Sequence, residues 1–207
     1  QVLDLMSKNY NRPYTKEWWE WKYKKNPFGK SIIWVSENDN KIVGSRSFWA
    51  WRLQFRGNIY KAYQPVDTLV DESYRGQGLF TKMTLNAISE AKENGAIMLF
   101  NFPNNNSLLQ YLKLGWQLID DIHWYIKISN ISKLFSFNLK RSNRIIIPNN
   151  SDICYPEALE SSSIRKTLFY TQWTNDYLRW RFSNNVNHRY RIECTGSIVI
   201  FYSIYKY

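Results

Sequence analysis

The sequence predicts a mixed α/β domain, and three observations carry the prediction. Residues 31–70 read as successive strands broken by short polar turns. A glycine-bearing turn, Arg75-Gly76-Gln77-Gly78-Leu79-Phe80, follows the apolar stretch Pro65 to Val70 and opens an amphipathic helix. A short apolar strand, Ala96 to Phe102, then returns the chain. A strand, a glycine turn and a helix N-terminus together form an anion site. The turn's N–H groups point outward and the helix dipole adds partial positive charge. No Gly-Lys-Ser/Thr follows, which excludes a Walker loop, and the glycine spacing excludes a dinucleotide fingerprint.

The elements follow in order. Thr15 has the chemistry of a helix N-cap, with Glu17 in the first turn. The helix passes Trp18, Trp21 and Lys22 and stops before Asn26-Pro27, because Pro27 biases Asn26 away from helix. Ser31 to Ser36 reads as a buried strand, and Asn38-Asp39-Asn40 as a turn. Lys41 to Arg56 and Ile59 to Val70 are longer strands joined at Gly57-Asn58. From Leu79 the period changes: Leu79, Phe80, Met83, Ala87, Ile88 and Ala91 share one helical face, and Asn94-Gly95 stops the helix. Ala96 to Phe102 is apolar enough for a central strand covered on both faces. Asn106 or Ser107 caps a short helix carrying Leu108, Tyr111 and Leu112, ended by Gly115. Trp116 to Asp120 and His123 to Ile128 read as further strands. The polar stretch at about 129–150 reads as a connector.

The chain then echoes itself. Thr15 to Asn26 aligns without gaps with Thr174 to Asn185, sharing Thr, an acid, aromatics, Trp, a base and a trailing Asn. Each copy precedes two strand-like runs, in the second case Tyr190 to Cys194 and Ser197 to Tyr205. The expected organisation is therefore a domain at 1–130, a connector at 131–150 and a C-terminal helix-strand-strand subdomain at 151–207, a partial repeat of the N-terminal half.

Composition bounds the function. Of 207 residues, 44% are hydrophobic and 17% aromatic, with ten Trp, which supports a packed core with aromatics left over for a groove. The formal charge of +11 favours anionic partners: nucleic acid, acidic lipid or a phosphorylated small molecule. The basic residues are spread along the chain, so charge alone does not indicate nucleic acid. Cys154 and Cys194 have no metal-like spacing and read as free thiols in a reducing, cytoplasmic compartment, with a single disulfide as the alternative. With only His123 and His188, no metal site is expected. No stretch of about 18 apolar residues suggests a membrane span, and no segment reads as a signal peptide.

Three short motifs share the order and placement of a known family. Arg75-x-x-Gly78-x-Phe80 follows a strand, with Phe80 where the family has a small residue. Asn104-x-x-Ser107 follows the next strand. Tyr111-Leu112-Lys113-Leu114-Gly115-Trp116 lies on the helix after it. Over roughly residues 15–128 the chain resembles the GCN5-related N-acetyltransferase (GNAT) superfamily. Trp19-x-Trp21-Lys22-Tyr23, Asn26-Pro27, Pro103-Asn104 and the trailing repeat resemble a subgroup from bacterial surface-polysaccharide pathways.

The resemblance implies a mostly antiparallel mixed sheet with flanking helices, extended at the C-terminus by the helix-strand-strand unit. It implies acetyl-CoA or another acyl-CoA as co-substrate. The pyrophosphate would dock on the amides of Gly76, Gln77, Gly78, Leu79, Phe80 and Thr81 behind Arg75. The pantetheine arm would pair with backbone around Leu69 and Val70, and Asn104 and Ser107 would lie beside it. Tyr111 matches the family's general acid, and Asp67, on the docking strand, is the candidate base. The acceptor would be the amine or hydroxyl of a small molecule such as an amino sugar. A homodimer is left open. Two other readings stand beside this one: an inactive module binding RNA or another polyanion, and a Fem-like aminoacyl transferase. The retained Tyr111 and glycines favour the enzyme.

Overall fold

The computed structural model describes residues 1–120, 168–195 and 198–202, with the side chains from 191 onward left aside. The expected strand His123 to Ile128, the connector and Cys154 lie outside these residues. The chain divides into two compact units, Gln1–Pro103 with Ile153–Tyr207, and Asn104–Asp152. The helix of the second sequence copy therefore belongs with the N-terminal half.

In the first unit, helix α1 (Val2–Tyr10) precedes α2 (Lys16–Trp19), which continues as a π-helical turn, Glu20–Lys24. Strands β1 (Ile32–Asn38), β2 (Lys41–Phe55) and β3 (Asn58–Val70) form an antiparallel meander. Helix α3 (Leu79–Glu93) crosses back to β4 (Met98–Leu99), which pairs with β3 in parallel. β5 (Tyr170–Thr171) adds to β2 at Leu53 and Gln54. Helix α5 (Asn175–Leu178) continues as a second π-helical turn, Arg179–Ser183. β6 (Arg191–Thr195) and β7 (Ile198–Tyr202) form a separate antiparallel pair.

The alternation of β2 sorts the core into two layers. Phe48 and Ala50 face α3 and pack with Ile32, Tyr63, Ala87 and Ala91. Trp34 locks this layer by donating its indole N–H to Glu90 on α3 (2.9 Å). On the opposite face, Trp49 and Leu69 of the sheet join Leu5 and Met6 of α1, Trp18, Tyr177 and Leu178 of α2 and α5, Trp21 and Trp180 of their π turns, and Phe28 of the loop before β1.

Helices α2 and α5 are matched in detail. Thr15 and Thr174 each cap their helix by accepting the N–H three residues on. Both helices widen into a π turn at the same position. The last carbonyls of a helix have no partner within it. Here each helix supplies one to the other: the Trp21 indole N–H donates to the Trp180 carbonyl (2.8 Å), and the Trp180 indole N–H donates to the Trp21 carbonyl (2.7 Å). The two rings stack at 5.6 Å. A cleft of about 410 Å³ opens along this pseudo-dyad, lined by the matched pairs Glu17/Asp176, Glu20/Arg179 and Lys25/Asn184.

Three sequence expectations need correction. Ala96 to Phe102 is not strand throughout: β4 has two residues and pairs on one side only among the described residues, and Phe102 is 63% exposed. Trp116 to Asp120 forms no strand. The helix after Pro103 (α4, Asn105–Lys113) is capped by Asn104, not by Asn106 or Ser107. Its Asn104 Oδ1 accepts the Ser107 N–H (3.1 Å) and the Ser107 hydroxyl (3.0 Å).

Trp180→Ala removes a fully packed indole and one member of the reciprocal pair, so it should cost about 3–5 kcal/mol. Urea unfolding monitored by circular dichroism measures this, and a loss under about 1 kcal/mol would show that α5 packs without the pair.

Candidate functional site

The site is built where β3 loses its neighbour. Ile97 N–H donates to the Lys61 carbonyl (3.0 Å) and Phe100 N–H to the Tyr63 carbonyl (3.2 Å). Beyond Tyr63, no described residue after β4 pairs with β3. Among the described residues, the edge from Gln64 to Val70 is open on that side. Pro65 falls where an N–H would point into the opening, and it has none to leave unpaired.

A bulge then re-aims the strand. Ser47 faces Val66 and Ser45 faces Leu69, so Asp67 and Thr68 together oppose Arg46. Asp67 sits at φ 46°, in the left-handed region that non-glycine residues rarely adopt. Its side chain holds it there: Oδ2 accepts the Tyr23 hydroxyl and pairs with Lys22 Nζ. Lys22 is itself enclosed, with Nζ 4.8 Å from the ring centre of Trp18 and 5.0 Å from that of Trp49. Desolvation pushes the Lys22 ammonium below its ordinary pKa, against the opposing pull of Asp67. Burial, followed by the charge of Asp67, drives the Tyr23 phenol well above its ordinary value.

After the bulge the backbone alternates cleanly. Asp71 N–H donates to the Val43 carbonyl on β2 (2.8 Å). The Val70 and Thr68 carbonyls therefore point the other way, into the opening. Two side chains meet them. Tyr10, at the end of α1, donates its hydroxyl to the Thr68 carbonyl (3.4 Å), and Arg75 Nε donates to the Val70 carbonyl (3.4 Å). Burial raises the Tyr10 pKa to about 12, so it remains a donor at neutral pH. Lys8 on α1 pairs with Asp71 (2.9 Å), whose other oxygen accepts the Ser73 N–H (3.1 Å). Of the two residues expected to meet a pantetheine arm, Val70 turns its backbone to the open edge and Leu69 turns its own to β2. The bulge decides which parity faces outward.

The glycine turn follows directly. Gly76 and Gly78 adopt φ 78° and 74°, and a Cβ at either would meet nothing within 4 Å. Conformation, not crowding, demands glycine, and the space above the turn is clear. Gly78 caps α3 without a side-chain acceptor. Among the described residues, no chain acceptor meets the N–H of Gly76, Gln77, Gly78, Leu79 or Thr81. Beneath the turn, the ring of Phe80 lies 5.3 Å from the guanidinium of fully buried Arg46. The aromatic ring at this position has a cation to cover.

In the second unit, Tyr111 is buried on α4 and packs edge-to-face against Trp116 (4.9 Å). The Trp116 N–H donates to the Tyr111 carbonyl (3.1 Å), closing the turn at Gly115. Asn104 and Ser107 bond to each other at the start of the same helix.

Residues 1–119 match the acetyltransferase (GNAT) domain family. The chain belongs to the GNAT family of acetyltransferases. Among solved structures, an acetyltransferase of Trypanosoma brucei has 20% identity and a TM-score of 0.50, over 61% of this chain and 90% of that one. A glucosamine-6-phosphate N-acetyltransferase of Arabidopsis thaliana has 18% identity and a TM-score of 0.48, over 60% and 88%. An aminoglycoside acetyltransferase from an uncultured soil sample, in complex with trehalose, has 16% identity and a TM-score of 0.49, over 61% and 86%. These likenesses bear on the fold alone. No curated protein matches. Among the described residues, no group of three or more His, Cys, Asp and Glu side chains gathers as a metal site, and no helix is long and apolar enough to cross a membrane.

The sequence alone singles out the glycine turn and Asp67 as candidates. It misses Tyr10, Lys22 and Tyr23 as partners of the bulge. The only sequence signal for Lys22 was its place in a helix otherwise carrying aromatics toward the core.

Asp67→Asn leaves the enclosed Lys22 ammonium without its counter-ion and should destabilise the protein by about 3–5 kcal/mol. Adding Lys22→Met should recover most of that loss. Chemical denaturation of both variants checks this, and equal stability of Asp67→Asn and wild type would show that the bulge holds without the pair.

Proposed function

We propose that this GNAT protein moves an acetyl group from acetyl-CoA to the amine of a small acceptor, such as an amino sugar. The observation that supports this most is the adjacency of the open β3 edge and the unpaired amides at the head of α3. One accommodates an extended arm, the other an anion at its end. The Val70 N–H and the β3 edge would hold the pantetheine arm. The amides of Gly76 to Thr81 would hold the pyrophosphate, each charge-assisted bond contributing about 1.5–3 kcal/mol.

Acetyl-CoA supplies the activated acyl group as a thioester. Asp67 would take the proton from the attacking amine, with Oδ2 engaged by Lys22 and Tyr23 and Oδ1 outside both contacts. The new C–N bond forms as the C–S bond breaks. Tyr111 would give its proton to the departing sulfur as general acid. The case for Tyr111 rests on the Tyr-x-Lys-x-Gly-Trp motif. The bonds Asn104 and Ser107 make to each other suggest that they shape the start of α4 rather than reach the cofactor directly.

Calorimetry with acetyl-CoA tests the reading. Wild type should bind. Gly78→Glu should lose binding, while Gly78→Ala, with the same backbone strain and no charge, should keep most of it. Tyr111→Phe should bind normally and lose roughly 10²-fold in turnover, as expected for an acid catalyst. No heat with wild type at millimolar acetyl-CoA would overturn the reading, and unchanged turnover in Tyr111→Phe would remove Tyr111 from the chemistry.

A further inference from the structure

The face of the sheet beside the bulge carries more positive charge than it balances. Trp49 is flanked by two cations, Lys22 Nζ at 5.0 Å and the Arg181 guanidinium at 5.6 Å from its ring centre. They occupy equivalent positions in the matched helices α2 and α5. Lys22 is paired with Asp67. Arg181 is half-buried, and among the described residues no carboxylate pairs with it. Arg12 joins the group through Tyr14: its guanidinium lies 4.7 Å from the Tyr14 ring centre and donates to the Tyr14 hydroxyl, and that ring meets Trp18 at 4.6 Å. Trp18 in turn contacts Lys22. Desolvation is the main cause that lowers the Lys22 pKa, and the positive charges of Arg181 and Arg12 act in the same direction. Three cations thus gather on aromatic rings around one carboxylate, and that carboxylate belongs to the bulge of the strand that would seat the acyl group.

We propose that this cluster binds an anionic group, phosphate or carboxylate, carried by the acceptor, with Arg181 as its principal contact. The inference rests on the acyl-transfer reading and narrows its acceptor to an amine that also bears a negative charge. A guanidinium presents paired N–H donors that fit phosphate and carboxylate oxygens, and the aromatic rings beside it suit the apolar face of a sugar. Asp67 would then lie close to an amine whose opposite end is fixed by Arg181. A neutral acceptor would leave Arg181 without a counter-ion among the described residues.

Two measurements test this. The first is independent of catalysis. With acetyl-CoA saturating, inorganic phosphate is titrated while the Trp49 indole N–H signal, assigned by Trp49→Phe, is followed by nuclear magnetic resonance. Wild type should show a saturable shift, weakened roughly 10- to 100-fold in Arg181→Gln. The absence of a shift, or an equal shift in both proteins, overturns the proposal. The second compares CoA release with glucosamine, glucosamine 6-phosphate and muramic acid, which separates phosphate from carboxylate. At least one anionic acceptor should exceed glucosamine in kcat/KM, and Arg181→Gln should lose that advantage, its loss on the anionic acceptor exceeding its loss on glucosamine. Equal losses on all three acceptors, with a lowered melting temperature, would make Arg181 structural and overturn the proposal. If acetyl-CoA does not bind at all, the acyl-transfer reading fails, and phosphate binding to the unsaturated protein still decides the role of Arg181.

Discussion

Everything around the site answers one constraint: β3 must run on for seven residues after its parallel neighbour has left it. An unpaired strand edge is costly to bury and prone to pair with whatever reaches it. This chain manages the edge residue by residue. Pro65 removes a donor, Tyr10 and Arg75 occupy two carbonyls, and the bulge at Asp67 sets which groups point outward. The donors of Val70 and of the glycine turn are what remain for an extended ligand with an anionic end.

The bulge depends in turn on packing far from it in sequence. Lys22 and Tyr23 reach Asp67 from α2, and α2 is fixed by its reciprocal bonds to α5. The C-terminal segment therefore supports β3 at one remove, through Trp180, Trp21 and Trp49. It also brings Arg181 to the same face. The matched helix α5 thus does two things: its tryptophan completes the core, and its base adds charge beside the bulge.

Much of this was legible in the sequence because local chemistry and tertiary structure agree. Thr15 and Thr174 cap helices, Gly76 and Gly78 take positive φ, and the apolar face of α3 meets β2 as its period requires. The rest was not legible because distant partners decide it. Asp67 adopts a left-handed conformation that its own type does not favour, held by residues 44 and 45 positions away. The π turns carry no local signature; they show only as a pair, once the Trp carbonyls are seen to meet the opposite indoles. Helix α1 lacks a side-chain cap and is held by Leu5, Met6 and the Lys8–Asp71 pair. The apolar run 96–102 mimics a central strand, yet the splay that shortens it to Met98–Leu99 is a property of the whole sheet.

Amide hydrogen exchange, read residue by residue with and without saturating acetyl-CoA, tests the central claim most directly. The Val70 amide and those of the glycine turn should exchange freely in the unliganded protein and become protected on binding. The Leu69 amide, already turned to β2, should change little. Binding of acetyl-CoA with no protection at Val70 or at residues 76–81 would contradict the account.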